Sequence, residues 1–120
     1  MDVLFESERL ARFLQSTKKL SQTYGPENAR LIPRRLDNLR FASSLEDMRT
    51  LPGHTHELSG DRAGTFAIDL KHGYRLILEP ADDPAPRKPD GGLDWRAIAA
   101  VVVVAVEDYH DCRPEFPINP

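Results

Sequence analysis

Polar side chains that could act together on a phosphate lie between residues 56 and 110. They are His56, Asp61, Arg62, Lys71, Arg75, Asp108, Tyr109 and His110. Cleaving RNA without a metal requires a base for the 2′-hydroxyl, cations for the charge growing on phosphorus, and an acid for the leaving 5′-oxygen. Histidine, aspartate and tyrosine can move protons, and lysine and arginine can supply charge. On residue types alone, the plainer interpretation is a strand that ends in polar residues.

A basic segment precedes these residues. Residues 18–40 contain six bases and two acids, whereas the whole chain has a net charge of −3. The bases are Lys18, Lys19, Arg30, Arg34, Arg35 and Arg40. Such a charged run usually lies on a solvated helix face, and a basic surface of this kind is also what binding to RNA phosphates requires.

The apolar spacing predicts the elements that must position these side chains. A strand at Val3–Phe5 precedes one helix that begins at Ser7, a second that follows Gly25-Pro26, and a short third one after Ser44. A hairpin then turns at Lys71-His72-Gly73, and Ala97–Val106 is predicted as a central strand. The order β-α-α-(short α)-β-β-β predicts a two-layer α+β fold, with helices on one face of a mostly antiparallel sheet. Lys71, Arg75 and Asp69 are expected on its open face.

The chain is predicted to form one domain over residues 1–110, followed by an irregular tail over 111–120. Residues 80–93 are rich in Pro, Asp and Gly, which predicts a long flexible hairpin loop. Trp95 is expected to anchor this loop on the domain.

Composition excludes several classes of protein. A single cysteine, Cys112, rules out an intramolecular disulfide and a zinc site built on several thiolates. The longest apolar run, residues 97–106, is too short for a membrane helix, and the N-terminus does not resemble a secretory signal. A cytosolic protein is therefore expected. His54 and His72 are interpreted as exposed loop histidines because no metal-binding spacing accompanies them, and neither metal nor cofactor is expected.

Several short motifs resemble those of one family. His56-Glu57-Leu58-Ser59-Gly60-Asp61-Arg62-Ala63-Gly64 is similar to the HPLKGDREG-type stretch of the HigB toxins (plasmid maintenance killer proteins), a branch of the RelE/ParE superfamily. Tyr74-Arg75-Leu76-Ile77 resembles their WRI/YRL strand, and Glu107-Asp108-Tyr109-His110 their terminal EDYH. Asp37-Asn38-Leu39-Arg40 and Leu51-Pro52-Gly53 also fit the branch that carries a proline-rich hairpin loop. The motifs run from about Phe5 to His110 in the family's order.

The resemblance implies a RelE/ParE-like fold and ribosome-dependent cleavage of messenger RNA. It also implies inhibition by a helix-turn-helix antitoxin of the HigA type. Matched by motif, the catalytic residues are His56, Lys71, Arg75, Asp108, Tyr109 and His110. Arg30, Arg34, Arg35 and Arg62 are the candidates for contact with RNA or the ribosome. Asp61 and Arg62 fit a structural turn pair equally well.

Two alternatives stay open. ParE proteins share the expected fold but poison DNA gyrase and lack the His/Asp/Tyr/His set, so wide separation of His56, Asp108 and His110 would favour that class. A catalytically silent member, kept as an antitoxin partner, would be indicated by Ser59, where many relatives have lysine, and by the acidic tail.

Overall fold

The helical spacing near the N-terminus produces three helices. In this computed structural model, which describes residues 1–108 and 113–114, they are α1 (Glu8–Leu14), α2 (Thr17–Tyr24) and α3 (Pro26–Phe41). The helix expected after Ser7 is confirmed as α1, but α2 was not predicted: the Ser16 hydroxyl accepts the Lys19 N–H and starts this additional helix. Helix α3 continues through Pro33, and Leu45–Thr50 forms a 3₁₀ helix.

The strands form one sheet that confirms the predicted α+β class. They are β1 (Asp2–Phe5), β2 (His56–Glu57), β3 (Phe66–Asp69), β4 (Tyr74–Pro80), β5 (Ala100–Asp108) and β6 (Arg113–Pro114). The order is β1-β5-β4-β3-β2, with β6 also pairing with β5. Only the β1–β5 pair is parallel among the described strands. Strand β5 begins three residues later than predicted, because Trp95–Ala97 forms a 3₁₀ turn.

The helices cover one face of this sheet. Leu20, Ile32 and Leu39 are fully buried and join one core cluster with alternate residues of β3 and β4, among them Ile68 and Leu76. The intervening strand residues point to the other face, since side chains alternate along a strand. The second face expected from the period-two pattern is therefore present and is called the open face below, although Ala67, Ile77 and Ala105 on it are buried rather than exposed.

A β-bulge changes which residues of β5 face the helices. Leu78 pairs with Val103 and Ile77 with Ala105, so Val104 has no partner in β4. Before this point the odd-numbered Val101 and Val103 belong to the core cluster, and after it the even-numbered Val106 does. The extra residue thus reverses the alternation, as bulges do. Glu107 consequently shares the open face with Arg75, its partner in β4.

The segment at 80–93 contains local structure. The Lys88 N–H donates to the Gly92 carbonyl at 2.8 Å, Arg87 bridges to Leu93, and Leu93 is buried. Trp95 packs edge-on against Phe66 at 4.9 Å, which confirms its expected anchoring role. The flexibility of the loop stays a prediction.

None of the helices within residues 1–108 has the length and apolar character needed to cross a bilayer.

Buried Asn28 joins α3 to the β3–β4 turn. Its Nδ2 donates to the carbonyls of Lys71 at 3.1 Å and Tyr24 at 3.0 Å, and its Oδ1 accepts the Lys71 N–H at 2.9 Å. The side-chain amide thus satisfies both backbone groups of Lys71, as a neighbouring strand would. It holds the hairpin against the helix layer.

We predict that Asn28→Ala lowers the free energy of unfolding by about 1–3 kcal/mol, because it removes the acceptor of the part-buried Lys71 N–H together with two further hydrogen bonds. Urea denaturation measures the loss. Gln22→Ala, on the exposed side of α2, is the control and should change stability by less than about 0.5 kcal/mol. Equal effects of the two substitutions would contradict a structural role for Asn28.

Candidate active site

Sheet register places four polar side chains in a row across the open face. Asp69 pairs with Arg75, and Arg75 pairs with Glu107. His56 pairs with Ala67, so the same register continued by two residues sets His54 beside Asp69. The 3.1 Å contact of His54 Nδ1 with Asp69 Oδ2 agrees with that placement. The row therefore runs His54, Asp69, Arg75, Glu107.

Glu107 is the centre of the charged part of this row. Its side chain is 1% exposed, yet its Oε1 accepts hydrogen bonds from Arg75 Nε at 3.2 Å, Arg75 Nη2 at 2.8 Å and Arg62 Nη1 at 2.7 Å. Arg75 is itself only 13% exposed. Two guanidiniums thus share one carboxylate, and their hydrogen bonds to it hold them in fixed positions.

The pKa of Glu107 follows from this arrangement. Burial alone would raise it, but the hydrogen bonds and charges of Arg62 and Arg75 outweigh burial and lower it below its ordinary value of 4.5. Glu107 is therefore ionised at neutral pH and keeps both arginines in place.

His56 lies on the same face, and one of its ring nitrogens already makes a hydrogen bond. Its Nδ1 lies 2.7 Å from the backbone carbonyl of His54, and a carbonyl only accepts, so Nδ1 carries the proton. In the neutral ring, Nε2 is then the basic nitrogen. The His54 and His56 rings stack at 4.6 Å.

His56 and three members of the polar row line one open recess of about 350 Å³. Its walls are His54, His56, Asp69, Leu70, Gly73, Tyr74 and Arg75. Two of the predicted catalytic residues, His56 and Arg75, thus meet in one concavity. Arg62 reaches the same area through Glu107, from the 3₁₀ turn Gly60–Arg62.

Asp108 does not join this recess, contrary to expectation. It pairs with Tyr74 and follows the core residue Val106 by two positions, so the bulge places it on the helix side. Its strand, β5, also lies three strand spacings of about 4.8 Å from β2, which carries His56, so the two strands are about 14 Å apart. Strict alternation from Val101 and Val103 would have given the opposite face. Tyr109 and His110 lie outside the described residues.

Lys71 is also separated from the recess. It lies in the turn after β3, rather than on a strand beside Arg75, and lines a second, smaller recess with Glu27, Arg30, Leu31 and Arg34. Arg30, Arg34 and Lys71 are exposed there. This basic recess is a surface on which RNA phosphates could be bound.

Arg35 has a different environment from its neighbours on α3. Burial, and then the charge of Arg34, lower its pKa, and its Nη1 donates to Asn38 at 3.1 Å. A Cβ built on Gly53 would lie 3.1 Å from Arg35 Nε and 2.7 Å from Ile68 Cγ2. Arg35 therefore packs against the turn that carries His54, which is a structural contact.

Sequence reasoning did not select Glu107 or His54 as site residues. Glu107 stood inside the EDYH motif as an unassigned acid, and its position between two arginines depends on the bulge. His54 precedes His56 by two residues, which is a detectable signal. Its carboxylate partner is fifteen residues away and is brought near only by strand pairing.

Comparisons with known proteins give few matches. Neither a family model nor a curated protein matches the sequence. Among solved structures, a YoeB/ParE toxin from Agrobacterium tumefaciens is similar, with 15% identity and a TM-score of 0.48. The similarity covers 88% of this chain and 95% of that one. The residues and motifs of the chain, rather than this likeness, support the function proposed below.

We predict that Glu107→Gln lowers the free energy of unfolding by about 3 kcal/mol at pH 7, because it leaves two arginines without their carboxylate. Glu79→Gln, an exposed acid on β4, is the matched control and should have little effect.

The loss should depend on pH. A lowered folded pKa means that Glu107 contributes stability above its unfolded value of about 4.5, and that this contribution fades as the pH falls through the folded pKa. The difference between parent and variant should therefore narrow below pH 4.5. Denaturant midpoints measured from pH 7 to pH 3 test this, and a constant difference would contradict it.

Proposed function

We propose that this chain is the toxin of a type II toxin–antitoxin system, HigB-like within the RelE/ParE superfamily. Its activity would be ribosome-dependent cleavage of messenger RNA in the cytoplasm. The observation that carries the proposal is the recess that His56, with its basic imidazole nitrogen, and the fixed cation Arg75 both line. The ordered motifs around Gly60-Asp61-Arg62, Tyr74-Arg75 and Glu107-Asp108 support the same assignment.

The recess offers the groups that metal-free RNA cleavage needs. His56 Nε2 would take the proton of the 2′-hydroxyl, whose oxygen attacks phosphorus and expels the 5′-oxygen. The leaving oxygen takes a proton from an acid, for which His110 is our candidate. The products would be a 2′,3′-cyclic phosphate and a 5′-hydroxyl. Asp108 neither takes nor gives a proton in this mechanism, because the strand register places its side chain on the helix side of the sheet.

Arg75 would stabilise the charge that grows on the phosphate. A cation helps most when it is already oriented, since no reorganisation is then needed during the reaction. Glu107 provides that orientation through two hydrogen bonds to Arg75. Arg62 adds a second positive charge beside the same carboxylate.

The basic recess on α3 would contact the ribosome or its RNA. Arg30, Arg34 and Lys71 carry three positive charges around one acid, Glu27, whose carboxylate contacts His72 at 3.0 Å.

A helix-turn-helix antitoxin of the HigA type would be the inhibitory partner.

A second candidate is supported by one specific observation. His56 and Asp108 lie on different strands and different faces, a separation that favours a gyrase-directed ParE-like toxin. Ser59 and the acidic tail are instead the features that would indicate a silent antitoxin partner. Toxicity and its target distinguish these functions from the ribonuclease.

We predict that inducing the parent protein in bacteria arrests growth and produces messenger RNA cuts on translating ribosomes. His56→Ala should restore growth by lowering cleavage about 10²–10⁴-fold, the usual contribution of a proton-transferring group. His72→Ala is the control, since that exposed histidine stands outside the recess. Circular dichroism checks folding. A toxic His56→Ala variant would contradict the mechanism, and a harmless parent would favour the silent partner. Growth arrest with gyrase inhibition and intact messenger RNA would favour the ParE-like function.

We also predict that the double variant Arg30→Glu/Arg34→Glu weakens co-sedimentation with ribosomes and makes it less sensitive to salt, because phosphate contacts release counterions. Lys18→Glu/Lys19→Glu reverses the same amount of charge on the exposed start of α2. If the two double variants lose binding equally, net charge rather than the α3 recess governs association.

A further inference from the structure

Two histidines and a carboxylate converge at one end of the recess. One potential ligand atom from each of His54, His56 and Asp69 lies within 4.8 Å of the other two. We infer that these three side chains bind a divalent transition-metal ion of the zinc type. This site goes beyond the proposed ribonuclease, which needs no metal.

The distances suit such an ion. His54 Nδ1 and Asp69 Oδ2 are 3.1 Å apart. Two ligands at about 2.1 Å from a tetrahedral ion are separated by roughly 3.4 Å, so only a small adjustment is required. The two imidazole planes are inclined by 23° at a centroid distance of 4.6 Å. Near-parallel rings can turn one nitrogen each toward the same point.

The hydrogen bond of His56 selects its ligand atom. Its Nδ1 faces the backbone carbonyl of His54 at 2.7 Å, which leaves the Nε2 lone pair for a metal. Metal-bound histidines typically donate their other N–H to a carbonyl or carboxylate, which fixes the ring. This orienting contact is already present.

The backbone holds His54 in an uncommon conformation. Its φ is +48°, a region that residues other than glycine rarely adopt. The Asp69 N–H donates to the Gly53 carbonyl at 2.7 Å, which ties this turn to β3 beside the carboxylate. Such strain is often found where a side chain must be presented to a ligand.

The chemistry of the three donors indicates the metal. Imidazole nitrogen with one carboxylate is a set that zinc accepts, and three protein ligands leave a fourth position for water. The nearest cation on the row, Arg75, is balanced by Glu107 at 2.8 Å. From the sequence, His54 was interpreted as a loop histidine because no third ligand was identified. That ligand, Asp69, lies on β3 and is brought near His54 only by strand pairing.

An ion bound to His56 Nε2 would occupy the nitrogen that the proposed ribonuclease uses as a base. Zinc should then suppress messenger RNA cleavage, and this consequence alone rests on the proposed function.

Equilibrium dialysis of the untagged full chain against zinc, with metal analysis, tests the site directly and without any activity assay. We expect one zinc per chain, a rise in melting temperature with zinc, and at least about tenfold weaker binding in His54→Gly, His56→Ala and Asp69→Asn. His54→Gly suits the positive φ and should remain folded. His72→Ala is the matched control, because His72 also contacts a carboxylate, at 3.0 Å from Glu27.

Retention of binding by His72→Ala together with its loss in the three site variants would support the proposal. The absence of stoichiometric zinc, or undiminished binding in any folded site variant, would overturn it. Growth arrest is measured separately, so failure of the ribonuclease proposal leaves the dialysis result interpretable.

Discussion

The single unpaired residue in β5 determines which charges meet on the open face. Val104 has no partner in β4, and after it the side chains of β5 change faces. Glu107 therefore meets Arg75, whereas Asp108 follows Tyr74 on the side that packs against the helices. The contacts of Glu107 with Arg75 and Arg62 depend on this change of alternation.

Ionised Glu107 is acceptable inside the sheet because two arginines compensate its charge. A carboxylate removed from water loses several kcal/mol of hydration unless partners replace it. Here three N–H groups from two arginines converge on one oxygen. The same contacts restrict the arginines, so one buried acid both stabilises the fold and sets a positive charge beside the recess.

The sequence is sufficient for the fold class and for the face that carries the polar side chains. Period-two alternation around the Lys71-His72-Gly73 turn identified the hairpin, and it placed Arg75 on the open face correctly. Local alternation could not reveal the bulge, because a run of four valines and flanking alanines fits the core in either phase. It also could not pair His54 with Asp69, since strand register is a tertiary property. Ser16 was a detectable helix start, but the predicted apolar stripe ended at Leu14 and no element was assigned between it and Gly25.

Asn28 gives the exposed β3–β4 turn a tie to the interior of the molecule. Turns at the tip of a hairpin normally open on their own, at little cost in free energy. Here the amide and carbonyl of Lys71 are bonded to a fully buried side chain of α3. Opening the tip therefore also breaks these bonds, which adds to the free energy needed to separate the tip from α3. The basic recess takes side chains from both elements, so the same bonds keep the backbones that carry them together.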